Sequence, residues 1–529
     1  MSQVPYSFLA DDIAVQVIRK LKSSFTASEN LSPGEIANRC RKLIFAAFGY
    51  SFASHSYNRE ILFSLCHDTE VRNCLKDLDI TPEEHEADNV FILSSLGLHI
   101  GSPVFMFLRD KFNFPLEYLV SPPEKELASE VLTPTGKAVP LFPYQDEISR
   151  KVQAALLANK SIIVQLPTGA GKTRTAFHAI IELLNRSALT HVLWLAHSRE
   201  LCAQAASTFQ KHWLIDGQMD VLLNRTWGTS EWKYSTNHCS LTVTTFSKLF
   251  SSQRRGTSLV EFATSKVDLI VVDEAHMATA NELNSFLRSA RANNINLLGL
   301  SATPGHNSSD WIYGHYLFDL FDSLVTSQIL GDKPLDYLRS AGILSIIKHS
   351  TLKHDTPGAL AVTASGDFSP KSLDHLGRNP HRNRSIIKEI SDQVKDHKSV
   401  IVFCCSVEHS EMMAEELAAL GITAFPVSNR TGTRDRIKAV SDFNSGIISV
   451  LLNYGVFTTG FDAPKVECVV IARPTLSRVL YSQMIGRGMR GPLVGGTEEC
   501  KVIDVIDNIE SHGDLDHIYS DYAEYWHNS

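Results

Sequence analysis

The run Pro167-Thr168-Gly169-Ala170-Gly171-Lys172-Thr173 follows the apolar stretch SIIVQL and precedes the helical pattern RTAFHAIIELLN. A strand, a glycine loop and a helix in that order make a site for phosphate. Glycines let successive backbone N–H groups curl around phosphate oxygens, and a helix N-terminus adds a favourable partial positive charge. In such a loop Thr168, Gly169, Ala170 and Gly171 form the cradle. Lys172 reaches the outer phosphates of ATP, and Thr173 offers a hydroxyl to Mg²⁺. The match to the full phosphate-loop pattern is partial, because Leu166 stands where its first glycine is expected.

A second constellation closes the apolar run DLIVV: Asp273-Glu274-Ala275-His276. An Asp at a strand end is placed to help hold Mg²⁺, and Glu274 to polarise the water that attacks the terminal phosphate. The ordinary alternative is an acidic strand terminus of any α/β protein. A D-E-A-H string directly after a buried strand is much less common.

These residues need elements that hold them. Over residues 1–135 apolar residues recur at helical spacing, as in DDIAVQVIRKLKSSF and SPGEIANRCRKLIFAAFGY. Ser32-Pro33-Gly34-Glu35 reads as a helix start, with Ser as cap, Pro first and Glu three residues on. A Pro-rich connector runs from SPPEKE to LTPTGKAVPLFP. In residues 136–345 the apolar runs SIIVQLP, HVLWLA, LTVTT, DLIVVDEA and INLLGLSA alternate with helical patterns. In residues 346–529 SVIVFCC, ISVLLN, VECVVIA and KVIDVID do the same. Such runs are the mark of buried parallel strands. The expected architecture is α/β: a mostly helical N-terminal domain followed by two parallel-sheet lobes.

Composition excludes several classes. The 529 residues are 43% hydrophobic and 20% charged, which permits a large core and excludes extensive disorder. The net charge of -8 is not that of a broadly basic architectural DNA-binding protein, so nucleic-acid contacts must be confined to a local track. The N-terminus carries early acids and no long apolar run, and nothing reads as a membrane span. A soluble cytoplasmic protein with no membrane partner is expected. The nine cysteines are scattered without a C-x-x-C pair, and the histidines form no H-E-x-x-H, so no zinc is expected.

With the D-E-A-H string in place, the chain resembles superfamily 2 helicases of the DEAH-box kind, in motif order across residues 140–510. Phe142-Pro143-Tyr144-Gln145 resembles the adenine-contacting segment, and LAHSREL and VTTF resemble motifs Ia and Ib. Ser301-Ala302-Thr303-Pro304 resembles motif III, NYGVFTTGFDAP motif V and QMIGRGMR motif VI. Bacterial RadD-like helicases and restriction-enzyme motor subunits look most similar. The chain departs from the former in having no cysteine cluster after the second lobe. The first 135 residues match no known family pattern.

The resemblance implies two tandem RecA-like lobes with ATP between them. Gln145 would contact the base, and Gly460 and Asp462 would complete the cleft. Gln483 would meet the γ-phosphate or its water, with Arg487 and Arg490 as arginine-finger candidates. His276, Ser301 and Thr303 would couple hydrolysis to movement. Ser198, Arg199, Thr244, Thr245, Thr458 and Thr459 would grip a nucleic-acid backbone without reading sequence, with DNA favoured over RNA.

Ordinary readings stand beside these. Arg199 could form an exposed ion pair, Thr458 and Thr459 could be loop residues, and Trp194 and Phe246 read as core. Glu408-His409-Ser410-Glu411 reads as a solvated helix face. Asn379-Pro380-His381-Arg382-Asn383-Arg384 is equally a nucleic-acid contact or a capped helix start. Three functions share the motifs: a helicase or translocase serving repair or phage defence, a duplex translocase that separates no strands, and a nucleic-acid-sensing ATPase switch. In the last, residues 1–135 bind a partner protein.

Overall fold

The computed structural model describes residues 4–22, 31–99, 102–119, 128–135, 140–228, 238–254, 258–279, 281–304, 317–354, 360–363, 367–396, 398–456 and 465–505. Among them, helices precede the first strand, from Asp11–Leu21 to Pro103–Phe112. The helix Pro33–Phe48 starts as its sequence requires. Ser32 Oγ accepts from Glu35 N at 3.4 Å, and Glu35 Oε2 accepts from Ser32 N at 2.8 Å, with Pro33 first.

The first sheet is built from β1 (Ser129–Leu132), β2 (Ile162–Gln165), β3 (His191–Ala196), β4 (Val221–Thr226), β5 (Cys239–Thr245), β6 (Leu269–Asp273), β7 (Asn296–Ser301) and β8 (Ser323–Val325). Its order is β1-β4-β5-β3-β6-β7-β2-β8. All pairs are parallel except β1 with β4. The second sheet holds β9 (Ile346–Thr351), β10 (Val400–Phe403), β11 (Ala424–Val427), β12 (Val450–Asn453), β13 (Cys468–Ile471) and β14 (Glu499–Asp504), in the parallel order β11-β12-β10-β13-β14-β9. Two RecA-like lobes result. Strands β3, β6, β10 and β12 are buried along their whole length, because helices cover both faces of each sheet.

Two features depart from the sequence pattern. Residues 1–135 read as helical, yet Ser129–Leu132 pairs antiparallel with β4, Leu132 opposite Val221, as the edge strand of the first sheet. The helix Val407–Ala419 is not simply a solvated face. His409 and Ser410 are buried, while Glu408 and Glu411 are exposed and both meet Arg430, at 2.9 and 3.9 Å.

His409 packs against Gly377 and Cys405 of its own lobe, and the N-terminal helices dock on another part of the same helix. Pro33–Phe48 lies against Val407–Ala419 and β11. The Phe45 and Phe425 rings sit 5.1 Å apart, Arg39 Nη1 donates to Ala419 O at 3.1 Å, and Lys42 Nζ donates to Gly421 O at 2.5 Å. Lys22 pairs with Glu415. The edge strand β11 is thus shielded by the N-terminal region rather than left open to pairing.

All nine cysteines are free, and all but Cys74 and Cys239 are buried. Among the described residues no helix is long and apolar enough to cross a membrane, and no group of His, Cys, Asp or Glu is gathered as a metal cluster.

Candidate nucleotide-binding cleft

Strand β2 delivers the chain into the glycine loop, and the helix Lys172–Asn185 leaves it. Gly169 and Gly171 have φ of +86° and +84°, a left-handed backbone that costs glycine nothing. The loop is braced from the helix Pro143–Leu157. Tyr144 donates its hydroxyl to Ala170 O at 2.8 Å, and Gln145 donates Nε2 to the same carbonyl at 3.1 Å. Gln145 Oε1 accepts from Phe142 N at 3.2 Å. So Gln145 lines the cleft with its amide turned to the loop backbone.

Strand β7, which ends in Ser301, lies directly between β6 with Asp273 and β2 with the phosphate loop. Ser301 pairs in register with Gln165, its carbonyl accepts from Leu166 N at 3.3 Å, and its hydroxyl accepts from Thr303 N at 3.0 Å. Both Ser301 and Thr303 are buried.

The acidic pair is held in an unusual backbone. Glu274 has φ of +53°, a region that non-glycine residues occupy at a cost of about 1–3 kcal/mol. Its N–H donates to Asp273 Oδ1 at 3.1 Å, and its Oε2 lies 3.5 Å from His276 Nδ1. Burial and the Glu274 charge push the Asp273 carboxyl well above the usual carboxylate range, against the pull of Lys172. Burial lowers the Lys172 ammonium, opposed by Glu274 and Asp273 and assisted by Arg487. Lys172 Nζ donates to Leu166 O at 3.3 Å. Burial likewise lowers the pKa of the His276 imidazole, opposed by the Glu274 charge.

The second lobe closes the wall. Gly486, Arg487, Arg490 and Val494 face Thr168 to Arg174, Asp273 and Glu274 across a cavity of about 250 Å³. A Cβ on Gly486 would lie 2.4 Å from Thr168 Cγ2, so the two lobes meet backbone to side chain at that point. The linker between the lobes is pinned to motif VI: Ser345 Oγ donates to Arg490 O at 2.5 Å, and Ser345 N donates to Met489 O at 3.1 Å.

The expected residues do not all converge. Gln483 is not part of the cleft wall; its carbonyl accepts from Arg487 Nε at 3.2 Å. Thr458, Thr459, Gly460 and Asp462 lie outside the described residues. Thr244 cannot grip a strand from its present position, because it is fully buried and donates its hydroxyl to Thr226 O at 2.6 Å. Thr245 caps the helix Phe246–Arg254 by accepting from Lys248 N at 3.2 Å. Ser198 caps Arg199–Asp216 by accepting from Leu201 N at 3.3 Å, while Arg199 is exposed beside Gly228. Trp194 is core, stacked 4.3 Å from Phe177. Asn379 caps Pro380–Lys395 by accepting from His381 N and Arg382 N, and Arg382 is buried. That segment is a capped helix start.

Leu201, Gln204 and Thr208 also line the cleft. Their spacing of three and four puts them on one helix face, the signal that would have found them.

Two families match this chain. Residues 138–306 match the type III restriction enzyme res subunit, and residues 382–491 the helicase conserved C-terminal domain. The chain belongs to superfamily 2. This superfamily 2 chain is 29% identical over 382 residues to the putative ATP-dependent helicase IRC3 of Saccharomyces cerevisiae, covering 68% of this chain and 50% of that protein. It is 25% identical over 437 residues to the type I restriction enzyme EcoKI endonuclease subunit of Escherichia coli, covering 74% of this chain and 36% of the subunit. A solved fragment of a putative HsdR subunit from Vibrio vulnificus aligns with a TM-score of 0.49 and 19% identity, over 71% of this chain and 66% of that one. The superfamily 2 chain therefore spans half the length of the yeast relative and about a third of the restriction subunit.

Proposed function

We propose that this chain is an ATP-hydrolysing motor that moves along a nucleic-acid backbone as a helicase or translocase, with DNA favoured over RNA. The observation that carries the reading is the two-sided cleft: Lys172, Thr173, Asp273 and Glu274 on one lobe face Arg487 and Arg490 on the other. Phosphoryl transfer asks for positioning and charge compensation, and this arrangement supplies both. With ATP bound, arginines of one lobe reach phosphate held by the other; after hydrolysis that attraction weakens and the cleft opens.

Mg²⁺ suits the donor set. Thr173 and Asp273 offer hard oxygen ligands, and a divalent cation would compensate a carboxylate that burial disfavours. The ion would neutralise charge developing on the phosphates. Lys172 binds the phosphates, Glu274 takes the proton of the attacking water, and Arg487 and Arg490 offset the transition-state charge.

Kinship with a restriction endonuclease subunit supports DNA as the track and repair or phage defence as the setting. Docking of the N-terminal helices on the second lobe supports a second reading, an ATPase switch controlled through residues 1–135. Steady-state hydrolysis alone and with single-stranded DNA, duplex DNA, single-stranded RNA and a forked duplex separates the two. A motor is stimulated strongly by its track, and strand displacement or directional movement follows on that substrate. Hydrolysis indifferent to all four substrates removes the motor reading and favours control by a protein partner.

A further inference from the structure

The helix Thr433–Asn444 of the second lobe touches three parts of the molecule at once. Its Ala439 and Phe443 are buried in the core. Its Lys438 and Asp442 receive Tyr50 of the N-terminal region. Tyr50 donates its hydroxyl to Asp442 Oδ2 at 2.6 Å, and Lys438 Nζ lies 5.0 Å from the Tyr50 ring centre and 3.3 Å from Asp442 Oδ1. Its Arg436 crosses to the first lobe and pairs with Glu200.

Neither partner of that last pair is a loose surface chain. The Arg436 and Glu200 side chains are 17% and 29% exposed. Arg436 Nε donates to Thr431 O at 2.9 Å, which aims the guanidinium, and Thr431 Oγ1 in turn accepts from Ser428 N at 3.1 Å. Glu200 sits in the first turn of Arg199–Asp216, and that same helix turns Leu201, Gln204 and Thr208 into the nucleotide cleft. A contact at Glu200 therefore bears on the cleft wall one turn away.

We infer that Arg436 and Glu200 are positioning residues that hold the two lobes in the closed arrangement, and that the N-terminal region buttresses them through Tyr50 and the helix Thr433–Asn444. Neither residue lines the nucleotide cleft. They act by raising the fraction of molecules whose cleft already carries the ligands of both lobes, and apparent nucleotide affinity scales with that fraction. The inference rests on the reading of the cleft as the ATP site.

The test uses the full chain. Binding of a fluorescent, non-hydrolysable ATP analogue and steady-state hydrolysis are measured for wild type, Arg436→Gln, Glu200→Gln and the swapped pair Glu200→Arg with Arg436→Glu. Each single change should raise the analogue Kd and the ATP KM about threefold to tenfold and change kcat less, the size of a typical coupling between contacting charges. The swapped pair should recover most of the loss, which a merely misfolded variant cannot do. Tyr50→Phe should raise KM in the wild-type background and add little in Arg436→Gln. A wild type that neither binds the analogue nor hydrolyses ATP defeats the reading of the cleft. A hydrolysing wild type whose single variants keep its Kd and KM, or a swapped pair no better than its parts, overturns this inference alone. A Tyr50→Phe effect that adds fully to Arg436→Gln removes the N-terminal buttress.

Discussion

Tyr50 and Asp442 stand 392 positions apart in the chain, and the tyrosine hydroxyl donates to the carboxylate at 2.6 Å. The bond lies within an apolar contact, with Phe45, Tyr50 and Phe425 packed ring against ring. Both partners are buried, so each satisfies a polar group that water cannot reach. The N-terminal helices thus share a core with the second lobe, although the chain joins them to the first.

Gly49 tests that docking. It has φ of +56°, and a Cβ there would fall 2.6 Å from Phe425 Cε2. Gly49→Ala meets both backbone strain and a rigid ring. It should destabilise the protein by about 1–3 kcal/mol, read as a lower urea midpoint. An unchanged midpoint would show that Phe425 is not seated against the N-terminal region.

Glu274→Gln separates binding from chemistry. The amide keeps the shape of the side chain but cannot take a proton, so hydrolysis should fall about 10²–10⁴-fold while ATP still binds. Equilibrium binding of labelled ATP beside single-turnover hydrolysis checks this. Loss of binding would mean that Glu274, and not Asp273, supports the metal.

Lys172→Ala should abolish hydrolysis, and Arg487→Ala and Arg490→Ala should report which arginine compensates the transition state. The finger residue should lose about 10³–10⁵ in kcat with a smaller change in KM. Initial rates over a range of ATP concentrations decide it. A Lys172→Ala protein with wild-type turnover would remove the phosphate-loop assignment.

His409 makes stability depend on pH. It is 2% exposed, its Nδ1 accepts from Cys405 N at 3.1 Å, and burial, helped by the Arg382 charge, pushes its pKa down to about 3. A folded value below the unfolded one gives stability that is present above pH 6.5 and lost as pH falls toward 3. Between pH 6.5 and pH 5 that loss is about 2 kcal/mol. His409→Asn can keep an acceptor near Nδ1 and does not titrate. Its unfolding free energy should fall by about 2 kcal/mol less than that of wild type over the same interval. Equal pH slopes in urea titrations would show that His409 titrates normally in the folded protein.

Much of the candidate nucleotide site was legible because its signals are local. A glycine loop between an apolar run and a helix needs only neighbours in sequence, and Asp273 and Glu274 follow a run that must be a buried strand. The apolar runs marked β2, β3, β5, β6, β7, β10, β12, β13 and β14, whereas β1, β4, β8, β9 and β11 escaped. Strand β9 is largely exposed and β8 is three residues long, so neither carries a continuous apolar run. Thr244 shows the limit of motif reading. A hydroxyl in VTTF says nothing of which way the strand turns it, and the sheet turns it inward to Thr226.

The sequence by itself determined which motif residues the chain carries and their order: a glycine loop, an acidic pair, and arginines in a later lobe. Such motifs are contiguous, and their backbone demands are met by residues within a few positions. The tertiary structure alone decided which surfaces meet. It placed β7 between the two halves of the phosphate site, gave β1 to the first sheet, set the N-terminal helices on the second lobe, and brought Arg436 to Glu200. Helical periodicity tells which face of Pro33–Phe48 must be covered, but burial is non-directional, and any apolar surface of the right shape would satisfy it. The choice of β11 and Val407–Ala419 rests on side-chain fit across hundreds of residues, and that fit exists only in the folded chain.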